Sequence, residues 1–276
     1  MSSASVTENA PPGKPAADSL LVRGVGALMP TVVGVTALLA IWWVGGWLIA
    51  SNPATANFAG FAPGPTLKRF VELVVSGHFV DMTIPSLYRI GVGLLWAIGI
   101  GLPLGIIIGS SKLMRATTNI PFQFLRMISP LAWMPIAVLA FATWDAAIIF
   151  LVAVAAVWPV TFATANGLRK VDPAWFKVAR NLGARPWHLL FVVILPAIAQ
   201  DVLTGIRLAL GVAWIVIVPA EYLGVTSGLG YAINDARDTI EYDLLAAVVV
   251  MIGLIGFVLD YTFMKMIERY SWVRED

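Results

Sequence analysis

Six times along this chain a stretch of about twenty residues, the thickness of a bilayer core, passes with hardly a charged side chain. The stretches fall at about 28–50, 87–109, 121–142, 146–165, 198–219 and 243–266. Each predicts a helix able to cross a membrane with some tilt. Of the 276 residues, 59% are hydrophobic and 12% are charged. A soluble surface needs roughly a quarter charged, so the deficit excludes a soluble domain of this length. The expected fold class is therefore all-α integral membrane with six transmembrane helices.

Residues 1–22 are rich in Ser, Ala and Pro and lack an apolar period, which predicts a disordered cytoplasmic tail. The remainder, 23–276, reads as one transmembrane domain. The first apolar stretch is too long for a secretory signal and reads as a retained span. There are no cysteines, which excludes disulfides, thiolate metal sites and a Cys nucleophile. A formal net charge of +2 gives no reason to expect a nucleic-acid partner.

Orientation follows from the placement of Lys and Arg. With six spans, one side carries Lys14, Arg23, Lys112, Arg115, Arg169, Lys170, Lys177, Arg180, Arg185, Lys265, Arg269 and Arg274. The other carries only Lys68, Arg69 and Arg237. Both termini are thus expected in the cytoplasm. In the second span Gly101, Gly105 and Gly109 recur every four residues, a stripe that lets a neighbouring helix approach closely.

The internal segment of about 166–197 is the least apolar, and it is built to fold. Asp172 suits a helix N-cap and Pro173 its first turn. Trp175, Val178, Ala179 and Leu182 share one face at helical spacing, and Gly183 supplies a stop. Pro186 opens a second short helix, and Pro196 begins the next span. An apolar face outside the bilayer needs a cover. The residues alone leave two covers open: the chain's own span ends with the lipid interface, or a soluble partner.

Lys177-Val-Ala-Arg-Asn-Leu-Gly183-Ala184, followed by Val193-Ile-Leu-Pro196 and Thr204-Gly205, resembles the signature loop of binding-protein-dependent ABC importer permeases. Lys177 stands where that family usually has Glu. Ser86-Leu-Tyr-Arg89, Gly91 and Gly101-Leu-Pro-Leu-Gly105 are similar to the nitrate, sulfonate, taurine and bicarbonate branch. So are Leu125-Arg126, Ser129-Pro-Leu-Ala-Trp-Met-Pro135, Trp158-Pro159, Ala220-Glu221 and Ser227-Gly-Leu-Gly230. The resemblance implies type I ABC importer permease architecture in a bacterial inner membrane. It implies a homodimer, two ATPase subunits docked through Trp175, Val178, Ala179, Leu182, Gly183 and Ala184, and an extracytoplasmic solute-binding protein. ATP and Mg would belong to the ATPase, with no cofactor on this chain. The implied solute is a small anion: nitrate first, then bicarbonate or a sulfonate such as taurine.

The residues agree in what they omit. No Gly-rich turn ending in Lys and Ser or Thr offers a phosphate-binding loop, so an energy source must sit elsewhere. His78 and His188 have no second metal ligand at suitable spacing. Pro130 and Pro135 interrupt the third span and should free the carbonyls of Arg126 and Leu131. Such backbone must face protein or a wet cavity. Arg126, Ser129, Pro130, Trp133 and Pro135 are accordingly candidates for a translocation path, the alternative being a packing kink. Arg207, deep in the fifth span, needs a partner or water. Asp201, Glu221 or another helix are the choices, with a structural or gating role favoured over solute recognition. Glu221 and Asp145 are expected near extracytoplasmic span ends, as outer-gate residues, as contacts for a delivery protein, or as ordinary solvated ends. Asp260 lies toward the cytoplasmic end of the last span, with Lys265 as one available partner, and is assigned no function. The rival function is a self-sufficient secondary transporter or channel, which calls for paired broken helices in inverted halves with midplane ionisable groups. A membrane enzyme would need a cluster of His, Asp and Glu that the sequence lacks.

Overall fold

The structure, a computed structural model, describes residues 17–272, with side chains over 29–269. The tail expected over 1–22 falls outside the described residues as far as residue 16. The described residues are helical throughout, with no strand. They pack as two units, Met1–Pro63 and Gly64–Asp276.

In the first unit, α1 (Ala17–Ser51) contains a membrane-length apolar segment, Met29–Ser51. A 3-10 turn, Ala56–Phe61, folds back beside it, and Trp42 Nε1 donates to the Phe61 carbonyl at 2.9 Å. Gly46 permits this return, because a Cβ there would press on Ala62 and Pro63.

The second unit holds α2 (Pro63–Ser76), α3 (His78–Ser110), α4 (Lys112–Met127), α5 (Met134–Ala140), α6 (Trp144–Lys170) and α7 (Pro173–Asn181). It continues with α8 (Pro186–His188), a π-helical stretch Leu189–Ile194, α9 (Leu195–Gly224), α10 (Leu229–Asp238) and α11 (Tyr242–Trp272). Four of these are long and apolar enough to cross: His78–Ser110, Trp144–Lys170, Pro186–Gly224 and Tyr242–Arg269.

The glycine stripe works as its spacing predicts. Gly93 meets Val152 and Gly105 meets Thr164 so closely that a Cβ would collide, and a Cβ on Gly101 or Gly109 would come within 3.0 Å of Val160 or Leu168. Small residues bring the two backbones together along their whole overlap. The matched pairs advance in the same direction, so α3 and α6 run parallel. A chain leaving one end of α3 can enter α6 only after returning across the membrane. The intervening segment must therefore cross, and it does so as a bent pair: α4 with Pro130–Ala140, at 85°. Five long spans and this broken one give six. Gly205 against Ala163, and Gly167 against Asp201, set α9 antiparallel to α6.

Two details differ from expectation. The break in the third span lies ahead of its prolines, at Ile128 and Ser129. Pro130 opens a 3-10 turn and Pro135 sits in the first turn of α5, where no N–H is required. The Leu131 carbonyl is not left free, since the tighter turn brings it the Met134 N–H. Further along, Pro196 does not begin a new helix. The fifth span runs unbroken from Pro186 to Gly224. Wide π turns precede Pro196, a proline that can offer no N–H to the ladder.

Candidate functional site

The segment before the fifth span folds as its signals predict. The Asp172 carboxylate accepts from the Ala174 N–H at 2.8 Å and caps α7. At the other end Ala184 N–H donates to the Ala179 carbonyl and Gly183 N–H to Arg180, both at 3.0 Å. This double bond pattern requires a left-handed residue, and Gly183 has φ +79°. The cap fixes the angle between α7 and the helix starting at Pro186. Trp175, Val178, Ala179 and Leu182 then form one wall of a groove of about 460 Å³. Val192, Val193 and Pro196 form the other wall. Trp175 is 54% exposed and Leu182 83%. The chain's own spans cover the opposite side of α7 instead, where Phe176 packs against Leu168, Ile198 and Val202. Sequence spacing did not single out Phe176; its adjacency to the outward-facing Trp175 was the available signal.

The broken third span supplies a second locus. Arg126 ends α4 with its guanidinium over the Phe162 ring, 5.2 Å from the centroid. Phe162 stacks on Trp158, which meets Phe122 edge-on. A cation over an aromatic face is held without a carboxylate. Ser129 and Pro135 are exposed, Pro130 is half-buried, and Trp133 packs against the core formed by α3, α6 and α9.

Arg207 does not join that locus. It donates from Nε and Nη2 to both oxygens of Asp260 on α11, at 2.8 and 2.7 Å. Lys265 pairs with Glu268 instead of Asp260, and Asp201 with Lys170. A bidentate fork fixes both position and tilt, which suits Arg better than Lys.

Glu221 departs furthest from expectation. It is neither solvated nor at a surface, since its side chain is wholly buried. Arg89 Nη1 donates to its Oε1 at 2.6 Å, while Ser86 Oγ and the Gly230 N–H both donate to Oε2. Ser86 Oγ in turn accepts from the Leu229 N–H at 2.9 Å. Arg89 completes its fork on the Ser227 carbonyl, Ser227 Oγ and Asp145 Oδ1. This network ties α3, α6, α9 and the turn before α10. The turn needs its glycines: Gly228 has φ +109°, and a Cβ on it would strike the Glu221 carboxylate. Asp145 stays 58% exposed at the rim. Arg89 and Ser86 were visible as a motif but carried no assigned role. An Arg inside one apolar span and a Glu inside another was the signal, since buried opposite charges need each other.

Among the described residues no group of His, Asp and Glu is placed to hold a metal ion. His78 lies 3.8 Å from Asp81 at the surface, and His188 is exposed. The candidate residues thus form three separate loci and an open groove, with no reactive constellation.

The chain as a whole is similar to known proteins. The chain is 37% identical to the nitrate import permease protein NrtB of Leptolyngbya laminosa over 88% of its length and 87% of that protein's. It is 35% identical to the bicarbonate transport system permease protein CmpB of Synechococcus elongatus, covering 89% of each. A chain of the MetNI methionine ABC transporter, in an inward-facing conformation, superposes with a TM-score of 0.59 at 18% identity. That match covers 69% of this chain and 95% of the other, and it establishes the shared type I importer fold. The family profile for the binding-protein-dependent transport system inner membrane component matches residues 101–269. By that match and by these relatives, this chain belongs to that family of ABC importer permeases.

Proposed function

We propose that two copies of this chain enclose a pathway for a small oxyanion, and that an ATPase subunit seats on the groove between α7 and the start of the fifth span of each. An extracytoplasmic binding protein delivers the solute. ATP and Mg are bound by the ATPases, not by this chain. The end carrying Lys112, Arg115, Arg169 and Lys170 faces the cytoplasm, in keeping with the positive-inside bias.

The observation that carries this reading is the groove. Its α7 wall stands outside the spans, is held at a fixed angle by the Gly183 cap, and has no cover among the described residues. A partner helix or cleft of matching shape would remove Trp175, Val178 and Leu182 from water. Trp175 is the expected anchor, as large aromatics at the centre of a patch usually are.

Nitrate is the first solute to test, because Ser129 to Pro135 resembles the nitrate branch and NrtB is a near relative. Bicarbonate, the solute named for CmpB, follows, and sulfonates such as taurine come next. The break at Ile128 and Ser129 opens backbone at membrane depth, which suits the lining of a wet path. Arg126 and Trp133 flank that break. Arg207, satisfied by Asp260, serves alignment or gating. Closing of the ATPases would move the grooves and turn the spans between inward-open and outward-open states.

The test is co-purification of the full-length chain with a co-expressed ATPase partner, for wild type and Leu182→Asp. Wild type should retain the ATPase, and Leu182→Asp should lose it while inserting normally. Undiminished ATPase retention by Leu182→Asp would refute the docking role. Uptake of labelled nitrate, bicarbonate and taurine by the reconstituted complex then ranks the solutes. Uptake driven by an ion gradient without ATP would overturn the importer reading.

A further inference from the structure

A cavity of about 400 Å³ lies where α3 ends, α4 begins and α6 ends. Its lining includes three cations, Lys112, Arg115 and Arg169, and no carboxylate. None of the three has an ion-pair partner among the described residues. Asp201, which borders the adjoining face of α6 beside Arg169, is already taken by Lys170 at 2.5 Å.

The hydrogen bonding is equally one-sided. Arg115 Nη2 donates to the Gly109 carbonyl at 3.3 Å, but its Nε is buried without any partner. A buried guanidinium N–H with no acceptor is costly and uncommon. Asn119 and Asn166 add amide groups to the lining; Asn119 accepts from Gln123 and keeps its own N–H donors. Thr118 spends its hydroxyl proton on the Met114 carbonyl. Lys112 opens α4, so the positive end of a sixteen-residue helix lies at the same place. Three unpaired cations held close together repel one another, and each gains from a shared anion.

The shape narrows the ligand. The volume exceeds that of a bare halide, and fits a tetrahedral oxyanion with room for a small organic substituent. Ile108, Phe122 and Phe162 give the cavity an apolar side beside its cationic one. An ester of phosphate with an apolar extension satisfies both. The cavity also sits at the end of two spans, where phospholipid headgroups lie, and clustered Lys and Arg at that level attract anionic lipid.

We propose that this cavity binds a phosphate-type oxyanion at the membrane boundary, carried by an anionic phospholipid headgroup or free in solution. Lys112, Arg115 and Arg169 hold it by charge-assisted hydrogen bonds. The site is separate from the α7 groove and does not depend on which solute the protein moves.

The experiment uses the full-length chain, first delipidated in detergent and titrated with phosphatidylglycerol or phosphatidylcholine under native mass spectrometry. A second arm places the chain in nanodiscs of phosphatidylcholine alone and follows its thermal unfolding with added inorganic phosphate. Preferential retention of phosphatidylglycerol, weakened by about tenfold or more in the triple variant Lys112→Gln, Arg115→Gln and Arg169→Gln, identifies the lipid source. Stabilisation by inorganic phosphate in wild type and not in that variant identifies a free oxyanion. Arg269→Gln, an exposed cation elsewhere, should behave as wild type in both arms. If the triple variant does not fold, the single variants Lys112→Gln, Arg115→Gln and Arg169→Gln replace it: each should weaken binding, and unchanged binding in all three overturns the proposal. Equal retention of the two lipids by wild type, together with no effect of phosphate, overturns the proposal. So does unchanged binding in a folded triple variant.

Discussion

Arg89 and Glu221 stand 132 residues apart in sequence and 2.6 Å apart in space, both almost fully enclosed. Neither charge is tolerable there alone, and each is the reason the other is affordable. Removing one partner of a buried pair typically costs about 3–5 kcal/mol, because the survivor is left uncompensated. Glu221→Gln and Arg89→Met should each destabilise the chain by about that amount, read as thermal unfolding in detergent. The double variant Arg89→Met with Glu221→Met should recover part of the loss. Asp145→Asn, at the exposed rim, should cost much less.

The turn over Glu221 makes its own prediction. A methyl group on Gly228 would strike the Glu221 carboxylate, and one on Gly230 would strike the Val218 carbonyl and Glu221 Cβ. Gly228→Ala and Gly230→Ala should therefore resemble Glu221→Gln in thermal stability. Along α3, Gly105→Val should push α6 away through Thr164, costing about 1–3 kcal/mol for overpacking. Gly99→Ala, with open space around it, should be neutral in the same assay.

Gly183 and Leu182 separate local geometry from recognition. Gly183→Ala must hold φ near +79° with a side chain, at about 1–2 kcal/mol. Faster hydrogen exchange should follow at the α7 amides. Gly183→Asn should be milder, since Asn tolerates that conformation. Leu182→Asp changes an exposed residue and should leave exchange at α7 unaltered while abolishing ATPase retention.

The Arg207–Asp260 fork is open to a charge swap. Arg207→Asp or Asp260→Arg alone juxtaposes like charges, and ATP-driven uptake by the reconstituted complex should fall sharply. The swapped double variant should recover a measurable share, whereas Arg207→Lys should recover less than wild type because the bidentate geometry is lost.

Much of this architecture was written in local patterns. Apolar runs marked the spans, the four-residue glycine interval marked the α3–α6 seam, and Asp172, Pro173 and Gly183 marked α7 with its caps. What escaped was non-local. Ser86, Arg89, Glu221 and Ser227 come from distant segments, and only their packing shows that Glu221 lacks access to water. The pairing of Arg207 with Asp260, in place of the nearer Asp201, depends on which helix lies beside α9. The break in the third span was legible, but its position was not. A proline at the start of a helical turn looks in sequence like one within it, although only the latter removes a hydrogen bond.

The continuity of Pro186–Gly224 has a mechanical consequence. A helix rises about 1.5 Å per residue, so Val192 in the groove wall and Glu221 in the buried pair are two points on one lever about 40 Å apart. The π-helical turns lie in the groove wall, and the far arm is α-helical with Pro219 inside it. A small rotation applied at the groove is therefore delivered to Glu221 as displacement. Arg89, Ser86 and the glycine turn must either travel with that arm or let go of it.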